Sequence, residues 1–183
     1  MKKYAKGENS VVYAHPLNPK KLVKIMNKSE AELNKTMGTL EIGPKVEISP
    51  RKHSNGMYNV FMPKLQGDTL EKLWPKMEFG AKKNAAIQMK AIIEKAGDEG
   101  YKLTDNNAAN FILNDGEITR IDFDDTHVKK ITAEGGGKEK AVKEALAEAK
   151  SMFDLEDIDD DIWQYLPKDS SAGWYTKKPK PGA

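Results

Sequence analysis

Cysteine is absent from this 183-residue chain. A disulfide scaffold, a thiolate metal site and a cysteine nucleophile are therefore excluded, and a reducing compartment fits. No stretch approaches the ~20 consecutive apolar residues of a membrane helix. The charged start, Met1-Lys2-Lys3-Tyr4-Ala5-Lys6, has no apolar run behind it, so no Sec-type leader is expected. Histidine is scarce: His15, His53 and His127 stand without ligand spacing, so structural or surface roles are expected and zinc is not. The basic N-terminal third lacks the interleaved aromatics that stack bases. Neither nucleic acid nor a membrane is expected as a partner. There are no internal repeats.

What is present is a polar but globular balance, with 38% hydrophobic and 32% charged residues. A chain of this length buries roughly two-thirds of its unfolded surface, enough for one domain or two small lobes. The net charge of +2 hides an asymmetry. Residues 1–65 carry 12 Lys/Arg against 5 Asp/Glu, and residues 66–183 carry 18 against 23. The basic part can attract phosphates.

The pattern changes at the same place. Up to Leu65 it predicts strands at Ser10-Val11-Val12-Tyr13-Ala14, Lys21-Leu22-Val23-Lys24-Ile25-Met26, Val46-Glu47-Ile48 and Tyr58-Asn59-Val60-Phe61-Met62. One helix interrupts them. Ser29 is its expected N-cap, Glu32 completes a capping box, and Leu33, Met37 and Leu40 form its buried stripe. Beyond Gly67 helices dominate, at 69–74, 81–96 and 138–153. An Asp115-Gly116 turn joins the apolar runs Phe111-Ile112-Leu113 and Ile118-Thr119-Arg120-Ile121 into a hairpin. Trp74, Trp163 and Trp174 are expected to pack rather than recognise a ligand. The acidic run 154–161 lacks the glycine and terminal glutamate of a calcium loop. Residues 168–183 are expected to form a tail.

The chemistry concentrates around the hairpin. Asp105 is followed five residues later by Asn110, the first strand starts at once, and the second delivers Asp122. Two carboxylates and a carboxamide thus come to the ends of one hairpin. Such oxygen ligands suit Mg²⁺, which takes one or two carboxylates and completes its shell with phosphates and water.

This pattern resembles the protein kinase-like superfamily, with its H-R-D-x-x-x-x-N loop and D-F-G motif. The resemblance spans about residues 4–126. It implies an α+β, bilobal, minimal kinase-like fold: an N-lobe over 1–65, a reduced C-lobe over 66–167, and the tail. It implies ATP and Mg²⁺ as cofactors. Asp105 takes the place of the catalytic aspartate, and Asn110 and Asp122 those of the metal ligands. Lys24, in Leu22-Val23-Lys24-Ile25, takes that of the lysine on the α/β-phosphates. Glu30 takes that of its helix partner, with Glu41 in reserve because only six residues separate Lys24 from Glu30. Ala5-Lys6-Gly7-Glu8-Asn9-Ser10-Val11-Val12 stands for the phosphate-covering loop, with Gly7 and Ser10 near phosphate and Val12 over the base. Met62 matches the gatekeeper, and Pro63 and Leu65 match the hinge residues at the adenine edge.

Three departures sharpen the expectation. Leu103-Thr104 replaces His-Arg before the catalytic aspartate, Asp124 replaces the glycine of D-F-G, and no A-P-E follows. Activation through a phosphorylated loop is therefore not expected, and the peptide platform is reduced. In these respects the chain is similar to bacterial type III effector kinases. That likeness implies a serine/threonine protein kinase secreted into a host cell, acting as a monomer on a host protein. One such group phosphorylates the host's ninety-kilodalton heat-shock chaperone. Two alternatives stay open: a small-molecule kinase of the aminoglycoside type, motivated by Asp124 and Asp125, and a pseudokinase binding module.

Overall fold

The computed structural model describes residues 1–6, 11–153 and 160–167. Gly7 and Ser10, Trp174, residues 154–159 of the acidic run and the expected tail lie outside the described residues.

The fold is mixed α+β. Five antiparallel strands form the first sheet in the order β1-β2-β3-β5-β4: Lys3–Lys6, Val11–Ala14, Lys21–Met26, Tyr58–Pro63 and Glu47–Lys52. β1 goes beyond the sequence expectation. All four of its residues are exposed, so no apolar alternation marks it, and its ladder to β2 defines it instead. β3 is central in the sheet, paired with β2 on one side and β5 on the other, and apolar residues fall at both its even and odd positions.

Helix α1 (Lys28–Thr39) follows β3 immediately. Its N-cap is Asn27, not Ser29: Asn27 is extended and its side chain accepts from the Glu30 N–H at 2.8 Å. With the cap satisfied two residues earlier, Ser29 is free to donate to Asp125 Oδ1, and Glu32 faces Lys28 at 3.8 Å. The helix packs on the sheet through Ala31 beside Met26 and Val60, while Met37 near its far end meets Leu103 and Phe123.

The remainder comprises β6 (Asp68–Thr69), α2 (Leu70–Leu73), α3 (Phe79–Asp98), β7 (Tyr101–Leu103), β8 (Phe111–Asn114), β9 (Glu117–Arg120), β10 (Val128–Lys130) and α4 (Gly137–Met152). β6-β8-β9 form a small sheet, and β10 pairs with β7. The expected hairpin is β8–β9. Asp115 and Gly116 both have positive φ (47° and 80°), as a type I′ turn requires.

Among the described residues, three apolar clusters hold the fold. One lies wholly in the later half, around Met89, Ile93, Phe111, Val142 and Leu146, and takes in Trp163, with Trp74 packed against it. One lies under the first sheet. The third joins them: Met37 and Ile42 meet Ala96, Leu103, Phe123 and Val128. Gly43 shows how tight that joint is, because a Cβ there would stand 2.3 Å from the Phe123 ring. Among the described residues no helix is long and apolar enough to cross a membrane.

Candidate active site

β-sheet register brings the first group of predicted residues onto one face. Val12 is the cross-strand partner of Lys24, and Lys24 that of Val60; Leu22 pairs with Met62 in the neighbouring row. Lys24 is buried, and a buried ammonium must be paired. Its Nζ lies 2.6 Å from Asp122 Oδ1 and 3.4 Å from Glu30 Oε1. The strand, the helix and the Asp122 turn thus converge on one nitrogen. Burial alone would lower the Lys24 pKa, but Asp122, then Glu30, outweigh it and hold it above the usual lysine value. Glu30 also moves up: its burial outweighs the attraction of Lys24, and Asp122 and Asp124 add repulsion. The shared lysine serves Asp122 first, and Glu30 carries the desolvation cost. Glu41, the reserve partner, turns to Lys95 instead.

The second group is the loop between β7 and β8. Asp105 Oδ1 accepts from Asn107 Nδ2 at 2.6 Å and Oδ2 from Asn110 Nδ2 at 2.9 Å. The Asn110 amide also donates to the Asp105 carbonyl. Asp105 (φ 53°) and Asp122 (φ 65°) both have left-handed backbone, which a non-glycine residue holds only where its surroundings enforce it. Asn110 and Ile121 face each other across the hairpin's open end, with the Ile121 N–H on the Asn110 carbonyl at 2.8 Å. Asp122 follows directly. An amide oxygen and a carboxylate at that edge are hard donors that fit Mg²⁺, with phosphates and water left to fill the shell. Among the described residues no group of three His, Asp or Glu could hold a metal alone.

Sequence reasoning missed four residues that build the site. Arg120 is fully buried between the Phe111 and Phe123 rings. It donates to Asn106 Oδ1 (2.7 Å), the Thr104 carbonyl (3.0 Å) and the Ile121 carbonyl (3.2 Å). Burial pushes its guanidinium down to about 10, opposed by Asp105, Asp122, Glu148 and Asp124, and it stays charged at neutral pH. Its alternating place in β9 puts it on the inner face, and that inward arginine was the available signal. Glu148 of α4 accepts the Asp105 N–H at 2.7 Å. Nothing in an Ala/Lys/Glu-rich helix marks one glutamate among several. Asn34 of α1, buried in an otherwise apolar stripe, donates to the Phe123 carbonyl at 2.7 Å and so ties α1 to the segment after Asp122.

The fourth is His127. Its Nδ1 lies 2.8 Å from Asp124 Oδ2 and its Nε2 3.7 Å from Asp105 Oδ2. Asp124 Oδ1 also accepts from the Thr126 N–H and hydroxyl and from the His127 N–H. Burial would raise the Asp124 carboxyl, but these donors outweigh it and hold it below the usual carboxylate range.

Met62 is partly buried against the cluster under the first sheet, Pro63 ends β5 in an exposed position, and Leu65 follows, partly buried. A separate concavity of about 510 Å³ lies between α4 and Trp163, Gln164 and Tyr165, and none of its lining residues belongs to either group. No protein-family model and no curated protein matches the chain.

Proposed function

We propose that the chain is an ATP- and Mg²⁺-dependent protein serine/threonine kinase with a bilobal fold. The observation that carries this reading is the three-way contact of Lys24 with Glu30 and Asp122. Residues from a strand, a helix and a distant turn do not converge on one buried ammonium for packing alone. A lysine paired to a helix glutamate, with a metal-binding aspartate in place beside it, is what phosphoryl transfer needs.

In this reading Lys24 holds the α/β-phosphates and Glu30 keeps it in position. Asn110 and Asp122 hold the metal, which neutralises charge on the phosphates when bound. Val12, Met62, Pro63 and Leu65 border the base, and the family resemblance assigns Gly7 and Ser10 to the phosphates. Asp105, fixed by Asn107 and Asn110, orients the acceptor hydroxyl and takes its proton. Positioning and electrostatics supply most of the rate. The buried Arg120 supports independence from loop phosphorylation, because the cation behind the Asp105 loop is built in.

The bacterial effector reading, with a host protein as substrate and the ninety-kilodalton heat-shock chaperone foremost, rests on the family resemblance. Asp124 spends its acceptor capacity on Thr126 and His127. Of the two carboxylates that motivate the aminoglycoside alternative, that leaves Asp125, which accepts from Ser29, as the less committed one.

Labelling of a host lysate with γ-phosphate-labelled ATP tests the proposal. Lys24→Ala and Asp122→Ala are each expected to abolish the labelled band seen with the unaltered protein. Equal labelling by both variants sinks the mechanism. An unaltered protein whose thermal unfolding does not move with ATP and Mg²⁺ is a binding module for something else.

A further inference from the structure

We infer that Arg120 is a positioning residue that fixes Asp105 and Asp122 relative to one another, so that the acceptor hydroxyl meets the metal-held phosphate. The inference rests on the kinase reading of those two aspartates and adds the group that sets their spacing.

One guanidinium reaches the flanks of both. Nη2 donates to the Thr104 carbonyl, directly before Asp105, and Nη1 to Asn106 Oδ1, directly after it. Nε donates to the Ile121 carbonyl, directly before Asp122. Both aspartates hold left-handed backbone, a conformation that their surroundings must enforce. A clamp on the peptide groups beside them is such a constraint.

The fork itself has little freedom. Arg120 is fully buried and pairs with Phe111 across the hairpin. Its guanidinium carbon lies 5.3 Å from the Phe111 ring centre and 5.8 Å from that of Phe123. Phe111 follows Asn110, and Phe123 follows Asp122. The rings that grip the fork therefore belong to the two segments it joins.

The choice of partners separates this clamp from an ion pair. The three hydrogen bonds of Arg120 go to two carbonyls and one side-chain amide oxygen, none to a carboxylate. Burying a charge is costly, and apolar side chains of similar volume often stabilise a core as well. A planar guanidinium is the side chain that can address several fixed oxygens at once.

The other contacts of Asp105 do a different job. Asn107 and Asn110 belong to the same loop, so they orient its carboxylate without fixing its distance from Asp122. Two links cross between the segments: the Ile121 N–H on the Asn110 carbonyl, and the Arg120 fork. Asp122 keeps its contact with Lys24 when the fork is loosened. Nucleotide binding is then preserved while the acceptor is misplaced.

Transfer kinetics and amide exchange on the full chain test this. Arg120→Lys keeps the charge but cannot span three oxygens. At saturating ATP its transfer rate is expected to fall about tenfold or more, with the KM for ATP unchanged, because a ~1 Å misplacement can cost on the order of 10²-fold. Met89→Ala, in the apolar cluster of the later half, removes packing and no hydrogen bond of the site. Assayed equally far below its own unfolding temperature, it is expected to keep its rate. A rate in Arg120→Lys no lower than in Met89→Ala overturns the positioning role. Asn106→Ala withdraws one oxygen from the fork and is expected to lower the rate by less. It decides the matter if Arg120→Lys does not fold, and an unchanged rate there overturns the inference. Amide hydrogen exchange needs no activity. In nucleotide-free Arg120→Lys the Asp105 and Ile121 N–H groups are expected to exchange faster together; faster exchange at Asp105 alone denies the link to Asp122. Transfer retained in Asp105→Asn overturns the kinase reading itself, and the inference with it.

Discussion

The two halves of the candidate site are held by different physics. On the loop side, the Asp105 carboxylate receives neutral amide donors on both oxygens, its N–H is bound by Glu148, and Arg120 braces the backbone from beneath. Apart from Glu148 and His127, these partners lie within residues 104–120. On the sheet side, two carboxylates share one ammonium, and the chain separation between Lys24 and Asp122 is 98 residues. The loop is over-determined and complete in itself. The sheet side carries an excess negative charge, and on the kinase reading the metal and phosphates complete it. On that reading the site fixes Asp105 before the ligand arrives and lets the ligand organise the rest.

The largest expected effect breaks the rigid side. Arg120→Met leaves the Thr104 carbonyl and Asn106 Oδ1 without their donor and removes the cation that Asp105, Asp122, Asp124 and Glu148 surround. A loss of about 3–5 kcal/mol in urea unfolding is expected. Arg120→Lys keeps the charge but not the fork, and is expected to fall between.

The link between the sides comes next. Asn34→Leu removes the donor to the Phe123 carbonyl while keeping the volume. An unpaired buried carbonyl costs about 1–3 kcal/mol. If the two sides are coupled through that bond, the variant also weakens the ATP-dependent rise in unfolding temperature by more than its stability loss accounts for. A pure stability loss denies the coupling.

These residues explain what was legible in the sequence. Lys24, Glu30, Asp105, Asn110 and Asp122 were singled out by their resemblance to kinase-like motifs, with Glu41 in reserve for Glu30, and the strands and turn that carry them are plain in the local pattern. The hairpin was equally plain, since Asp115-Gly116 leaves little choice of turn. Asn34, Glu148 and His127 were not legible, because their partners are 89, 43 and 22 residues away and no spacing rule connects them. The N-cap was misplaced at Ser29 for a related reason. Asn27 and Ser29 both suit a cap, and only the end of β3 decides between them. β1 was missed because hydrogen bonding, not burial, makes it a strand.

A smaller effect probes the sheet side alone. Asn27→Ala removes the cap at the helix end that carries Glu30, and is expected to cost about 1 kcal/mol. Because that end positions Glu30 against Lys24, labelling with ATP is expected to drop further than the same loss incurred at the far end of α1. An equal drop makes the cap a stability feature only.

The smallest effect is a matter of order on acidification. Glu30 has its pKa raised by burial, so its folded form takes up a proton before the unfolded chain does. Protonation there costs the fold nothing: the stability it contributes grows as pH falls through that window, above about 4.5. The Lys24–Glu30 pair is nevertheless lost. Asp124 runs the other way. Its pKa is lowered by the Thr126 and His127 donors, so its stabilisation is intact above 3.8 and disappears only as pH falls through its lower folded value. Acid is therefore expected to weaken ATP binding before it weakens the fold. Parallel titrations of binding and thermal unfolding check this, and coincident midpoints would mean that the two sides do not differ in the way their contacts imply.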